Sequence, residues 1–127
     1  MVSSVALTLL NAHSDAIGYT RAMLDQRARL LRAAVGFALV PPEHPELQVL
    51  HRWLDSWRGI GDIATGMTRQ GWDLQLTEYD GEHWRATFFV CGQAHSIVGG
   101  SAWQTTPWRA TQRAAWDALQ KAEEGGR

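Results

Sequence analysis

The stretch Trp72-Asp73-Leu74-Gln75-Leu76-Thr77-Glu78-Tyr79-Asp80-Gly81-Glu82-His83-Trp84-Arg85-Ala86-Thr87-Phe88-Phe89-Val90-Cys91 decides the fold. Trp72, Leu74 and Leu76 share one face of it, and Asp73, Gln75, Thr77 and Tyr79 share the other. That is the period-two pattern of a strand with one buried side. Trp84, Ala86, Phe88 and Val90 alternate in the same way with Arg85, Thr87, Phe89 and Cys91. Asp80-Gly81 between the runs is a hairpin signal, because both residue types tolerate the positive φ of tight turns. Loop length then sets the register. A two-residue loop would place the Trp72 face with the Arg85 face, whereas three or five residues bring both apolar faces together. A one-residue slip exchanges faces, so an odd loop is expected.

Outward from the hairpin, Gly92-Gln93 turns the chain again, and a third strand is expected over His95–Val98, with Trp103 as its furthest limit. Thr106 as N-cap and Pro107 at the first helical position predict a last helix running to about Glu123. Upstream, Leu47, Leu50, Leu54 and Trp57 keep helical spacing behind Pro45, and Ile60, Ile63, Ala64 and Met67 resume it after Gly59 and Gly61. Two helices, 45–58 and 60–70, or one kinked helix ending at Gly71, account for this. Pro41-Pro42-Glu43-His44-Pro45 is a stiff connector.

Before that connector, residues 14–39 read as a helix capped by Ser14 or Asn11. Ile17, Met23, Leu24, Leu31, Ala34, Val35, Ala38 and Leu39 form its apolar stripe, and Arg21, Asp25, Arg29 and Arg32 lie opposite. Leu30 and Phe37 widen the stripe, which must bury on the domain or on a second copy. Ser4–Ala12 is a further short helix or a continuation. The expected fold class is α+β: an N-terminal helical region (1–40) on a Trp-rich α-β-β-β-α unit (45–124), in one compact domain overall. All seven tryptophans lie between Trp53 and Trp116, which puts the large apolar area in that unit.

The 127 residues suffice for a core without metal or disulfide. An apolar fraction of 45% with 20% charged residues is ordinary for a globular chain. A net charge of −1 excludes a global field that would draw nucleic acid or an anionic membrane. Cys91 is the one cysteine, so no intrachain disulfide forms and a reducing, cytoplasmic setting is expected. Val5–Leu10 is too short and lacks the basic flank of a secretory signal. No run reaches the roughly 18 apolar residues that span a bilayer.

Residues 45–123 resemble a double-stranded-RNA-binding domain in more than element order. Gly81-Glu82-His83 sits where that family carries a Gly-Pro-x-His-like loop, and Gly99-Gly100-Ser101 is similar to its Gly-x-Gly approach to the last helix. The family's last helix reads Lys-Lys-x-Ala-Lys-x-x-Ala-Ala-x-x-Ala-Leu. Here Pro107-Trp108-Arg109-Ala110-Thr111-Gln112-Arg113-Ala114-Ala115-Trp116-Asp117-Ala118-Leu119 keeps the apolar skeleton. The three lysine positions hold Pro107, Trp108 and Thr111 instead, which removes the phosphate-binding charge of the family. Arg109 and Arg113, one turn apart, are placed to supply part of it. The resemblance implies an α-β-β-β-α fold and RNA binding near the start of the last helix.

The sharpest surface candidate joins Trp108, Arg109 and Arg113 with His83, using helix N–H groups, guanidinium charge and a ring that can stack on a base. The bland alternative packs Trp108 under the sheet edge and pairs the arginines with Asp117 or water. Tyr79, Arg85, Thr87 and Phe89 share the sheet face away from the helices, open for stacking or covered by the N-terminal helix. His51 and Asp55 have the spacing of an oriented imidazole, with no nucleophile opposite, and a surface pair is expected. His83, Cys91 and His95 offer three N/S ligands without a recognised zinc spacing.

No P-loop, dinucleotide turn or hydrolase elbow is present. The expectation is therefore a non-catalytic interaction or regulatory module, pairing with protein or with itself, without cofactor or metal. The alternative is a nucleic-acid binder working through Trp108, Arg109, Arg113 and His83, with the sheet aromatics in support.

Overall fold

The computed structural model describes residues 21–92 and 98–125, apart from the side chain of Leu24. In chain order the elements are α1 (Arg21–Ala38), α2 (Pro45–Leu54), α3 (Trp57–Arg69), β1 (Trp72–Tyr79), β2 (His83–Val90), β3 (Val98–Gln104) and α4 (Pro107–Gly125). The expected elements at Ser4–Ala12 and from 14 to 20, and the third-strand residues 95–97, lie outside the described residues.

The three strands form one antiparallel sheet in the order β1-β2-β3. Tyr79 pairs with His83, so the loop is Asp80, Gly81 and Glu82, odd as the face argument requires. Asp80 and Gly81 both take positive φ (57° and 70°), and the Glu82 N–H donates to the Tyr79 carbonyl at 3.2 Å. Asp80-Gly81 thus makes the tight turn, and Glu82 is the extra residue that restores the register. Leu74 then lies opposite Phe88, and Leu76 opposite Ala86. On β3, Gly100 faces Phe88 while Val98 faces Phe89, which leaves Gly99 as a bulge.

Helices cover one side of this sheet. The alanine face of α4 (Ala110, Ala114, Ala115, Ala118) joins Phe88, Ala86, Leu54, Ile63 and Met67 in the core. Gly100 makes that packing feasible, because a Cβ there would collide with the Ala114 carbonyl and the Ala118 amide. Thr106 caps α4 by accepting the Arg109 N–H at 3.3 Å. Outside this layer, α1 lies against α4, α2 and α3, and not across the outer face of the sheet. Arg32 fastens α1 to α4: its guanidinium stacks 5.1 Å from the Trp116 ring centroid, pairs with Glu123 at 3.2 Å and bonds Gln120. Gly36 lies beneath Trp116, where a Cβ would sit 2.9 Å from the ring.

Two boundaries differ from expectation. The break between α2 and α3 falls at Asp55-Ser56, ahead of Gly59. Ser56 caps α3 by accepting the Gly59 N–H at 3.0 Å, and its own hydroxyl donates to the Trp53 carbonyl at 2.7 Å. A hydroxyl that satisfies both sides of a corner outweighs the helix-weakening tendency of the glycines. The third strand continues to Gln104, one residue past its expected limit.

The two kinds of glycine give a direct test. Gly100→Ala should destabilise the protein by about 1–3 kcal/mol, since backbone and not a flexible side chain opposes the new methyl. Gly61→Ala in α3 meets open space and should stabilise by about 0.5–1 kcal/mol. Urea unfolding of both variants checks the signs.

Candidate interaction surfaces

Arg109 turns inward. One guanidinium nitrogen donates to the Ala38 carbonyl at 2.9 Å and to the Gln112 side-chain oxygen at 3.2 Å. Gln112 is fully buried and donates to Asp55 Oδ1 at 2.8 Å and to the Leu54 carbonyl at 3.3 Å. The other Asp55 oxygen lies 3.4 Å from His51 Nδ1, and His51 Nε2 lies 2.8 Å from the Val40 carbonyl. One polar chain thus joins the end of α1, the α2–α3 corner and α4. His51 is 7% exposed, which corrects the expectation of a surface pair. It shares the inward face of α2 with Leu54, and no nucleophile faces it among its described contacts.

The four residues of the helix-start candidate are not brought together. Trp108 is half-buried and meets Trp57 edge-on, with centroids 6.4 Å apart; Trp57 meets Trp84 in the same way at 5.6 Å. Arg113 is exposed and lines a groove of about 310 Å³ with Leu39, Trp116 and Asp117. His83 and Arg85 alternate with the core residues Ala86 and Phe88, so they lie on the sheet face away from α4. Two of the three positions corresponding to the RNA-binding lysines, Pro107 and Thr111, are buried. The Thr111 hydroxyl donates to the Pro107 carbonyl at 2.8 Å.

The outer sheet face holds a second cluster. Tyr79 and Trp103 stack at 4.8 Å with a 41° tilt, and the Arg85 guanidinium lies 5.7 Å from the Trp103 ring centroid. A shallow groove of about 120 Å³ runs from there along Gln75, Thr77, Thr87 and Phe89. Phe89 is only 8% exposed, so it is not the open aromatic expected. Trp103 takes that part at 53% exposed. Its alternation was legible, but the third strand had no firm length in the sequence.

The third surface is α1. Val35 and Ala38 are buried as expected, whereas Met23, assigned to the same stripe, faces water. Leu30 is 62% exposed and Phe37 57%. From Leu30 through Pro42 every exposed residue is apolar: Leu30, Ala33, Phe37, Val40, Pro41 and Pro42. Val49, Trp53 and Trp57 are exposed as well. The Trp53 indole N–H is satisfied by Asp62 at 2.7 Å. Trp57, expected on the buried face of α2, instead opens α3, and the helix break before it changes the phase.

His83 and Cys91 stand at opposite ends of β2, about 26 Å apart at 3.3 Å per residue, so they do not share an ion. His95 lies outside the described residues, among which no group of three His, Cys, Asp or Glu is arranged to hold a metal. Burial, and next the nearby Asp73 carboxylate, push the Cys91 thiol above its ordinary pKa. No described helix is long and apolar enough to cross a membrane. No protein-family model, curated protein or solved structure matches the chain.

Two measurements follow from this chemistry. Gln112→Leu removes one hydrogen bond from the Asp55 carboxylate and one from Arg109, leaving Asp55 with His51 and Arg109 with the Ala38 carbonyl, and should cost about 1–3 kcal/mol in urea unfolding. The protonated form of Cys91 is favoured, so alkylation by iodoacetamide at neutral pH should be slower than that of free cysteine. Its rate should reach half-maximum at a higher pH than the free thiol's.

Proposed function

We propose that this protein is a non-catalytic interaction module whose partner is protein, with self-association as its main mode. One observation carries the reading: large apolar side chains lie open to water in groups, not singly. They form the α1 stripe, the Trp57 cluster and the Tyr79–Trp103 face. Grouped exposed apolar area of this kind is what interfaces use, with aromatics and Arg as their strongest anchors. The titratable groups point the same way. His51 and Asp55 are absorbed in a structural network, and the Cys91 thiol is held protonated.

A second reading, nucleic-acid binding, is favoured by the Tyr79–Trp103–Arg85 cluster, since a stacked pair beside a guanidinium suits an unpaired base. The resemblance to the duplex-RNA family belongs to this reading. It loses weight because Arg109 is occupied and Asp80 and Glu82 flank the cluster.

Light scattering behind size exclusion, on the full chain over a range of concentrations, should give a mass of two chains or more. Anisotropy titrations with an RNA duplex, an RNA single strand and a DNA duplex should show no binding at moderate salt. A strict monomer whose affinity for one of these nucleic acids falls steeply with salt would replace the first reading with the second.

A further inference from the structure

We propose that α1 pairs antiparallel with α1 of a second copy of this chain, about a two-fold axis passing between Leu30 and Ala33. This rests on the reading of the protein as a self-associating module and adds the surface and the orientation. Among the water-facing positions of α1 and the turn after it, which also include Arg21, Ala22, Asp25 and Arg29, one row runs through Met23, Gln26, Leu30, Ala33, Phe37 and Val40. Their spacing of three, four, three, four and three residues is that of the a and d positions of successive heptads, the seam by which one helix packs along another. The other side of α1 already has its contacts. Leu31, Val35 and Ala38 pack in the core, and Arg32 is held by Trp116, Gln120 and Glu123. The helix is apolar on two sides, and the described fold covers one of them.

The stripe is complementary to itself. Under the two-fold, bulky Leu30 meets small Ala33, Met23 meets Val40, and Phe37 lies on the aliphatic stem of Gln26, whose amide reaches water at the rim. The helical part of the seam, from residue 23 to residue 37, is about 21 Å long at 1.5 Å per residue, and Val40 follows it in the turn. Charge sets the direction. The exposed charges of α1 are Arg21, Asp25 and Arg29, all in its first half, and the next exposed charge is Glu43, beyond the helix. Antiparallel pairing brings Arg21 beside the second copy's Glu43 and keeps the two arginine-bearing ends apart. Parallel pairing would place those ends side by side. A stripe with no charge of its own between Leu30 and Pro42 has little with which to select a foreign partner.

The test is sedimentation velocity on the full chain, comparing wild type with Leu30→Glu, Phe37→Glu and Val49→Glu. All three positions are well exposed, so melting followed by circular dichroism should show an unchanged fold. The wild type should be a dimer. Leu30→Glu and Phe37→Glu should each weaken it about thirtyfold or more, and Val49→Glu should not. For direction, Met23→Cys and Val40→Cys are placed in separate chains that also carry Cys91→Ser. The mixture should form a disulfide between the two variants, and neither variant should do so alone. A Met23→Cys chain that cross-links to itself would overturn the antiparallel arrangement. A dimer that survives both glutamates on α1 would overturn the seam and leave the interaction reading standing. A strict monomer at every concentration would overturn both.

Discussion

Gly100 on β3 approaches the Ala114 carbonyl and the Ala118 amide so closely that no Cβ fits between them. Strand and helix backbones therefore meet across a nearly side-chain-free contact, with Ala110, Ala114, Ala115 and Ala118 along the helix and Phe88 of β2 beside it. Small residues on both sides shorten the distance, and the sheet's own side chains fill what is left. Everything else is referenced to that seating. α3 and α1 both close on α4, so a shift of α4 would disturb both of those contacts.

Charge inside the fold serves the same end. Arg109, Gln112, Asp55 and His51 form a connected set that touches α1, the α2–α3 corner and α4, and Arg32 spans the far end of α1 and α4. Such groups add little net stability, because desolvation offsets much of each bond, but an unpaired member is costly. Their effect is to make one arrangement of the helices much better than its neighbours. It also engages one guanidinium nitrogen of Arg109 inside the fold, so the start of α4, which reads as a binding site in the sequence, serves as a joint in the structure.

The apolar surface is divided differently. Much of the core is made by small residues and a few aliphatics, while Trp53, Trp57 and Trp103 stay open to solvent. An aromatic-rich chain need not be an aromatic-rich core. A helix such as α1, apolar on two sides, can fill one side within its own chain and still present the other. The titratable groups, by contrast, are enclosed in the His51–Asp55 network or set far apart, as His83 and Cys91 are.

Local sequence determined the hairpin, its odd loop, the Thr106 cap and the alanine face of α4, because each depends on neighbours a few residues apart. Alternation sets which side chains share a face, and burial of one face sets the register. The stiff proline connector and the positive φ at Asp80-Gly81 were legible for the same reason. Only the tertiary structure decided which of the grouped side chains meet water. His51 is buried because α2 turns it toward the Val40 carbonyl, Phe89 is closed while Trp103 is open, and Ser56 moved the helix break forward by capping across a corner. The apolar pattern of α1 showed that it must be covered, but not on which side, since a stripe that runs most of the way round a helix has no single inward direction until a neighbour takes one.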